Sequence, residues 1–247
     1  MKKEWFDNEE FWNETMPVLF HGSRLEKTPD EVSSIIALAG TKSGSVVLDM
    51  CCGIGRHSLE FARRGFCVTG VDRTEKYLSR AMKNAARERL KIETVRCDMR
   101  EFVRKNTYSL AVNLFTSFGY FEEAGDDLRV ARNICASLKK GGRFVVEMMG
   151  KEILARIFRE RDWSEVDSMR VMESRKIVGD WEAVESEWTI IRGGEILKHK
   201  FRTRLYSAAE LKRLTLDAGF SSASAYGALD GSPYDHNAKR LVVVAVK

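Results

Sequence analysis

The chain has 247 residues, 44% of them hydrophobic and 31% charged, with a formal charge of +5. That composition excludes a collagen-like repeat, a disordered chain and a membrane bundle, and the longest clean apolar run, Leu241 to Val246, is far short of the roughly 18 residues a membrane span needs. Residues 1–31 hold four Lys/Arg against eight Asp/Glu, so the basic surplus, 37 against 28, lies in the rest of the chain; it suits either an anionic partner or plain solvation.

Met1-Lys2-Lys3 runs into Glu4 and Asp7 rather than into an apolar stretch, so no secretory leader is expected. Trp5, Phe6, Phe11, Trp12 and Met16 then recur at roughly helical spacing up to Pro17, and a second helix is predicted over Pro29 to Ala39. This pair either packs on a sheet or forms a lid over a ligand. From residue 46 to 149, short β-branched runs alternate with helical patterns. Strands are predicted at Val46–Leu48, Cys67–Val71, Ile92–Arg96, Leu110–Phe115 and Arg143–Met148, and helices at Ser58–Arg64, Lys76–Leu90 and Asp126–Leu138. Such alternation implies right-handed crossovers and an α/β, doubly wound, mostly parallel sheet, with ligands bound beyond the carboxyl ends of the strands.

Residues 170 to 206 read instead as antiparallel strands. Gly193-Gly194 is a two-residue hairpin signal, and placing it at the turn pairs Arg192 with Glu195, Trp188 with His199, Glu187 with Lys200 and Glu185 with Arg202. One face then holds opposite-charge pairs. The other collects Val184, Trp188, Ile190, Leu197, His199 and Phe201 and needs something to lie on. Ser207-Ala-Ala-Glu210 is a capping box opening a helix to Asp217, closed by Gly219, and two last strands follow near Ser222–Tyr226 and Arg240–Val246.

The stretch from Val46 to Ser58 carries the chemistry: a strand, a turn with Gly53 and Gly55, and a helix that starts at once, so a ligand can approach the backbone and meet the helix N-terminus. Asp72 ends the second strand, where a carboxylate accepts both hydroxyls of a ribose, and Asp98 ends the third, where an acceptor meets an adenine amino group. Ser58 replaces the third glycine of a dinucleotide fingerprint, which disfavours a nicotinamide dehydrogenase. The five cysteines include an adjacent pair, Cys51 and Cys52, and no CxxC spacing; this argues against a disulfide framework and a metal site and for a reducing, cytoplasmic home.

With these features the sequence resembles the class I S-adenosylmethionine-dependent methyltransferases over residues 40–247. Leu48-Asp-Met-Cys-Cys-Gly-Ile-Gly55 matches their cofactor loop, Gly70-Val-Asp72 the ribose strand, Cys97-Asp98-Met99 the adenine contact, Leu114 to Gly119 the segment after strand four, and Leu138 to Arg143 the entry to strand five. The resemblance implies a seven-stranded Rossmann-like sheet with its last strand antiparallel. It further implies S-adenosyl-L-methionine as cofactor and S-adenosyl-L-homocysteine as product. Asp49 and the loop through Cys51, Cys52, Gly53 and Gly55 would hold the methionine part, Asp72 the ribose, Arg73 a flank of the adenine, Asp98 and the Met99 amide its edge, and Leu114 and Phe115 the floor. Cys51 stands where the family usually has glycine, so either the backbone there avoids positive φ or the turn is displaced.

On this reading residues 1–40 are a helical lid, 41–150 the cofactor-binding core, 151–206 an antiparallel insert roofing the substrate, and 207–247 the C-terminal helix and last two strands. The loop Gly227 to Lys239 is expected to return across the ligand edge. Phe118, Trp188 and Tyr234 are candidate substrate contacts, with Tyr120 and His199 beside them. A displacement at an activated methyl needs mainly positioning and a deprotonated nucleophile. His199, His236 and Tyr120 are the candidates for that step, with His21 also in the useful range; His57 is read as cofactor-side or structural. The segment Asn113-Leu-Phe-Thr-Ser-Phe lacks the Pro-Pro signature of enzymes acting on nucleic-acid and protein nitrogens, so the expected acceptor is a small molecule, methylated at N or O. An RNA methyltransferase and a cofactor-binding protein without transfer activity remain as alternatives.

Overall fold

The computed structural model describes residues 4–247; the Met1-Lys2-Lys3 start on which the leader expectation rests lies outside them. After one 3-10 turn at Trp5–Asp7 come helices α1 (Glu9–Leu19), α2 (Gly22–Leu25) and α3 (Thr28–Ala39). The alternating core follows: β1 (Val46–Met50), α4 (Arg56–Arg63), β2 (Cys67–Asp72), α5 (Glu75–Arg87), β3 (Ile92–Arg96), β4 (Tyr108–Asn113), α6 (Ala124–Ser137) and β5 (Leu138–Met148). Beyond α7 (Lys151–Ile157) lie β6 (Arg161–Val166), β7 (Met169–Val178), β8 (Ala183–Arg192) and β9 (Glu195–Arg204). The chain ends with α8 (Ala208–Asp217), β10 (Ser222–Tyr226) and β11 (Leu241–Val246).

Seven strands form one sheet in the order β10-β11-β5-β4-β1-β2-β3, with β11 antiparallel to both its neighbours and the other pairs parallel. Because helices cover both faces, the strands are apolar on both. Val47, Val112 and Val145 meet Val32, Ile35 and Phe61 on one side, and Leu48, Ala111 and Val146 share the other with Val130, Ile134 and Leu211. The predicted α/β doubly wound sheet is therefore present.

The insert is larger than its sequence signals. Four antiparallel strands, β6-β7-β8-β9, form a second sheet. The pair β8/β9 has the register expected from the glycine turn: Arg192 opposite Glu195, Trp188 opposite His199, Glu187 opposite Lys200 and Glu185 opposite Arg202. Gly193 and Gly194 both have positive φ, 56° and 90°, the geometry that matches the twist of the flanking strands. Strand β6 lies ahead of the strands expected from residue 170 on, joined to β7 by a second tight turn at Asp167-Ser168 with Asp167 at φ 52°.

Two boundaries also move. Pro17 does not end the first helix but lies inside α1, because Val18 one residue on is buried against Met169, Val171 and Ile190 of the second sheet. That burial offsets the hydrogen bond a proline cannot donate. Strand β4 stops at Asn113 rather than at Phe115, since Phe115 and Thr116 turn into the left-handed region at φ 65° and 59°.

Asp127, fully buried in the first turn of α6, accepts from the Tyr206 hydroxyl at 2.7 Å and lies 3.7 Å from Arg204 Nε. Burial outweighs the hydrogen bond from Tyr206 and the charge of Arg204 and pushes the Asp127 carboxyl up to about 6. Its folded value lies above its unfolded one, so this group's penalty on the fold appears as pH rises through roughly 4 to 6 and is complete above that window. We expect the Asp127 carboxyl carbon to titrate near pH 6 by NMR, and Asp127→Asn to remove that part of the stability slope. A midpoint below 4 would contradict the assignment.

Candidate active site

At the carboxyl ends of β1, β2 and β4 and beside the loop after β3 there is a cavity of about 310 Å³. Asp49, Cys51, Cys52, Gly53, Asp72, Arg73, Asp98, Met99, Leu114 and Phe115 all border it. Gly55 does not: it turns the chain into α4 with φ 77°, and a Cβ there would come within 2.8 Å of the Ala81 Cβ. The first strand's loop holds its shape without its first glycine. Cys51 does not avoid the left-handed region but adopts φ 61°, a strain on the order of 1–3 kcal/mol for a residue with a Cβ. It is held by the Cys52 N–H bond to the Val71 carbonyl at 3.0 Å and by Cys51 Sγ lying 3.5 Å from Met99 Sδ. Burial, reinforced by the neighbouring carboxylates, pushes both thiols well above their ordinary range, so they pack as thiols.

The three carboxylates differ in what they already hold. Asp49 is buried and accepts from the Ser58 hydroxyl at 2.6 Å. Asp72 accepts one backbone N–H on each oxygen, from Gly53 and from Thr74, both at 2.8 Å, which leaves a lone pair on each. Burial raises both above the usual carboxylate range despite these bonds. Asp98 is lowered: burial alone would raise it, but the Arg100 guanidinium and amide, with Arg73 at 3.8 Å, overcome that.

A charged cluster gathers around Phe115, with Arg56 and Arg240 bordering the cavity and Arg24 behind them. The guanidinium of Arg24 lies 4.0 Å from the centre of the Phe115 ring, with Arg56 at 5.4 Å and Arg240 at 6.0 Å. Arg56 and His57 both contact Glu31, whose carboxyl they pull down to about 2 against the opposing effect of burial. Arg240 pairs with Glu147, and Arg24 donates to the Leu19 carbonyl. Burial and the two neighbouring arginines bring Arg24 down to about 10. Glu147 also accepts from the Phe115 N–H at 2.6 Å, and Arg240 donates to Thr116 Oγ1 at 2.9 Å, so this pair holds the two left-handed residues. Their separations in sequence, 32 and 124 residues, leave no local signal.

Much of the remaining lining is aromatic. Trp5 and Trp12 of the N-terminal segment, Tyr120 of the loop after β4, and Trp188 and Phe201 of the insert all line the cavity. The N-terminal segment is tied to the core by Asp7 to Arg73, by Glu9 to Arg96 at 3.2 Å, and by the Tyr77 hydroxyl donating to the Trp12 carbonyl at 2.6 Å. Helix α3 behaves otherwise and packs under the sheet.

The candidate acceptor-side residues therefore separate. Tyr120 and Trp188 stand in the wall. Phe118 is 1% exposed and packs against Tyr206, as core. His199 shares the inner face of the insert with Trp188 but is buried under α1, edge-on to Phe11 at 5.2 Å, with Nε2 2.8 Å from Glu14 at an angle that misses a hydrogen bond. His236 is exposed. The loop Gly227 to Lys239 folds over α7 rather than across the cavity, because Tyr234 donates to Glu152 at 2.8 Å and Arg156 to the Ala238 carbonyl at 2.6 Å. His21, whose imidazole burial lowers, sits beside Ser23 outside the wall.

Residues 47–142 match the family described as Methyltransferase domain. A crystal structure of an S-adenosylmethionine-dependent methyltransferase from Clostridium acetobutylicum superposes with a TM-score of 0.77 at 13% identity, covering 96% of each chain. Residues 47–142 are thus a methyltransferase domain, within a chain that folds like the S-adenosylmethionine-dependent methyltransferases. A Geobacillus protein named as a methyltransferase is 23% identical over 84% of this methyltransferase and 87% of its own length. The dTDP-3-amino-3,4,6-trideoxy-alpha-D-glucopyranose N,N-dimethyltransferase of Streptomyces venezuelae is 31% identical over 52% of this chain and 54% of its own. The methyltransferase thus spans about half the length of several curated relatives it matches. The donor set fits an S-adenosylmethionine cofactor: Asp72 keeps a lone pair on each carboxylate oxygen at the end of β2, and Arg56, at the start of α4, borders the cavity. Among the described residues no cluster of three or more His, Cys, Asp or Glu is arranged to hold a metal, and no helix is long and apolar enough to cross a membrane.

Proposed function

We propose that this methyltransferase moves a methyl group to a nitrogen or oxygen of a small-molecule acceptor. The observation that carries it is the lining of the cavity, which joins carboxylates at the sheet edge to aromatic rings from the N-terminal segment and the insert. In this reading Asp72 takes the ribose, Asp98 and the Met99 N–H the adenine edge with Arg73 at its flank, and Leu114 and Phe115 form the floor. Asp49 and the Cys51 to Gly55 backbone take the methionine part, whose carboxylate falls to Arg24, a guanidinium that donates only to a backbone carbonyl in the described contacts. S-Adenosylmethionine supplies a methyl already activated by its sulfonium, so the protein's share is to orient the acceptor and exclude water. Burial drives the Tyr120 hydroxyl well above its usual range, so it orients rather than deprotonates. The Streptomyces relative's name gives an amino sugar as its substrate, in keeping with a small acceptor.

An acceptor screen read out by S-adenosylhomocysteine release tests this. Trp188→Ala should impair acceptor use while leaving S-adenosylhomocysteine affinity nearly intact, because Trp188 belongs to the insert and the nucleoside residues to β2 and β3. Equal loss of both, or turnover only on RNA with steep salt dependence, would overturn the reading.

A further inference from the structure

We infer that the atom methylated is a neutral amine nitrogen, and that the wall of Trp5, Tyr120, Trp188 and Phe201 stabilises the positive charge that arises there; this rests on the function proposed above. The four rings adjoin one another along the cavity, with centroids 4.8 Å apart for Trp5 and Tyr120, 5.6 Å for Trp5 and Phe201, and 5.2 Å for Trp188 and Phe201. The cavity lining also offers neutral polar groups, the hydroxyls of Ser117 and Thr203 and the Trp5 indole N–H, which is buried without a partner.

Every ionisable group bordering this space is either engaged elsewhere or held protonated. Asp49 is bonded to Ser58, Asp72 to two backbone amides, Asp98 to Arg100, His57 to Glu31 and Arg240 to Glu147. Tyr77, Tyr120, Cys51, Cys52 and Cys97 are all shifted upward by burial, away from ionisation. His199 and Glu14 do not border the cavity and face each other at 2.8 Å. A hydroxyl acceptor would need a base to develop nucleophilic charge, and the aromatic wall offers an oxyanion little besides two hydroxyls and one indole N–H.

A neutral amine needs neither. Its lone pair forms the new C–N bond as the C–S bond breaks and that electron pair returns to sulfur; the nitrogen becomes an ammonium and afterwards yields its proton to water. The charge gained at nitrogen falls where the ring quadrupoles attract it.

The test is binding of three isosteric probes to the full chain saturated with S-adenosylhomocysteine: choline, its uncharged carbon analogue 3,3-dimethylbutan-1-ol, and the anion 3,3-dimethylbutanoate, each titrated by tryptophan fluorescence. Choline should bind at least about tenfold more tightly than the alcohol, the scale of a partly desolvated cation–π contact, with the anion weakest. Trp5→Leu and, independently, Phe201→Leu should each remove most of that preference while S-adenosylhomocysteine affinity stays unchanged. Equal affinities, a preferred anion, absent choline binding, or a preference that survives both variants would overturn the inference. Failure of the wild-type protein to bind S-adenosylhomocysteine would instead overturn the proposed function.

Discussion

Asp72→Ala is expected to weaken S-adenosylhomocysteine binding by roughly 1.5–3 kcal/mol, on the order of 10- to 150-fold, as measured by calorimetry. The carboxylate ends β2, borders the cavity and keeps one lone pair on each oxygen after accepting from Gly53 and Thr74. Those two backbone bonds also shape the loop after β1, so truncation removes both a ligand contact and the support of Gly53. Asp72→Asn separates the two effects: its amide oxygen can still accept from one backbone N–H, while its NH₂ cannot accept from a ribose hydroxyl. It should therefore recover part of the fold stability and little of the affinity. An unchanged dissociation constant in Asp72→Ala would remove this residue from the site.

Glu147→Ala should destabilise the protein by about 3 kcal/mol, the usual cost of removing one partner of a buried ion pair, read from denaturant unfolding. Glu147 is buried at the end of β5, and its loss leaves Arg240 without its carboxylate and the Phe115 N–H without its acceptor. Phe115 and Thr116 both sit at positive φ without being glycine, a conformation that persists only where surroundings impose it. Release of that pair should also lower turnover, since Phe115 borders the cavity. Glu147→Gln keeps an oxygen for the Phe115 N–H and should lose less. A loss below about 1 kcal/mol in Glu147→Ala would show that the strained pair is held by something else.

The hairpin of the insert shows why some of the site was legible. Two consecutive glycines allow a two-residue turn with both φ positive, and strand side chains alternate with a period of two, so the position of Gly193-Gly194 alone sets Trp188 opposite His199. The same logic stops at the face. Trp188 borders the cavity and His199, directly opposite it, does not, because Phe11 and Glu14 of α1 pack against the histidine ring, and no pattern within residues 183–204 encodes where α1 lies. Tyr234 and His236 illustrate the converse failure: their loop does leave from the ligand edge, but bonds to Glu152 and from Arg156 draw it over α7.

What the sequence by itself determined is the set of features carried by neighbouring residues: the strand and helix alternation, the Gly53 and Gly55 turn, Asp72 and Asp98 at strand ends, and the capping box at Ser207 and Glu210. Each rests on backbone geometry or on hydrogen bonds spanning a few residues, so local chemistry suffices. Only the tertiary structure decided which aromatic residues of the N-terminal segment and insert face the cavity and which histidines are shut out. It alone brought Arg24, Arg56, Arg240, Glu31 and Glu147 around Phe115. The physical reason is that these contacts join segments up to 124 residues apart, and whether a ring or a charge is buried there depends on the packing of other elements against it.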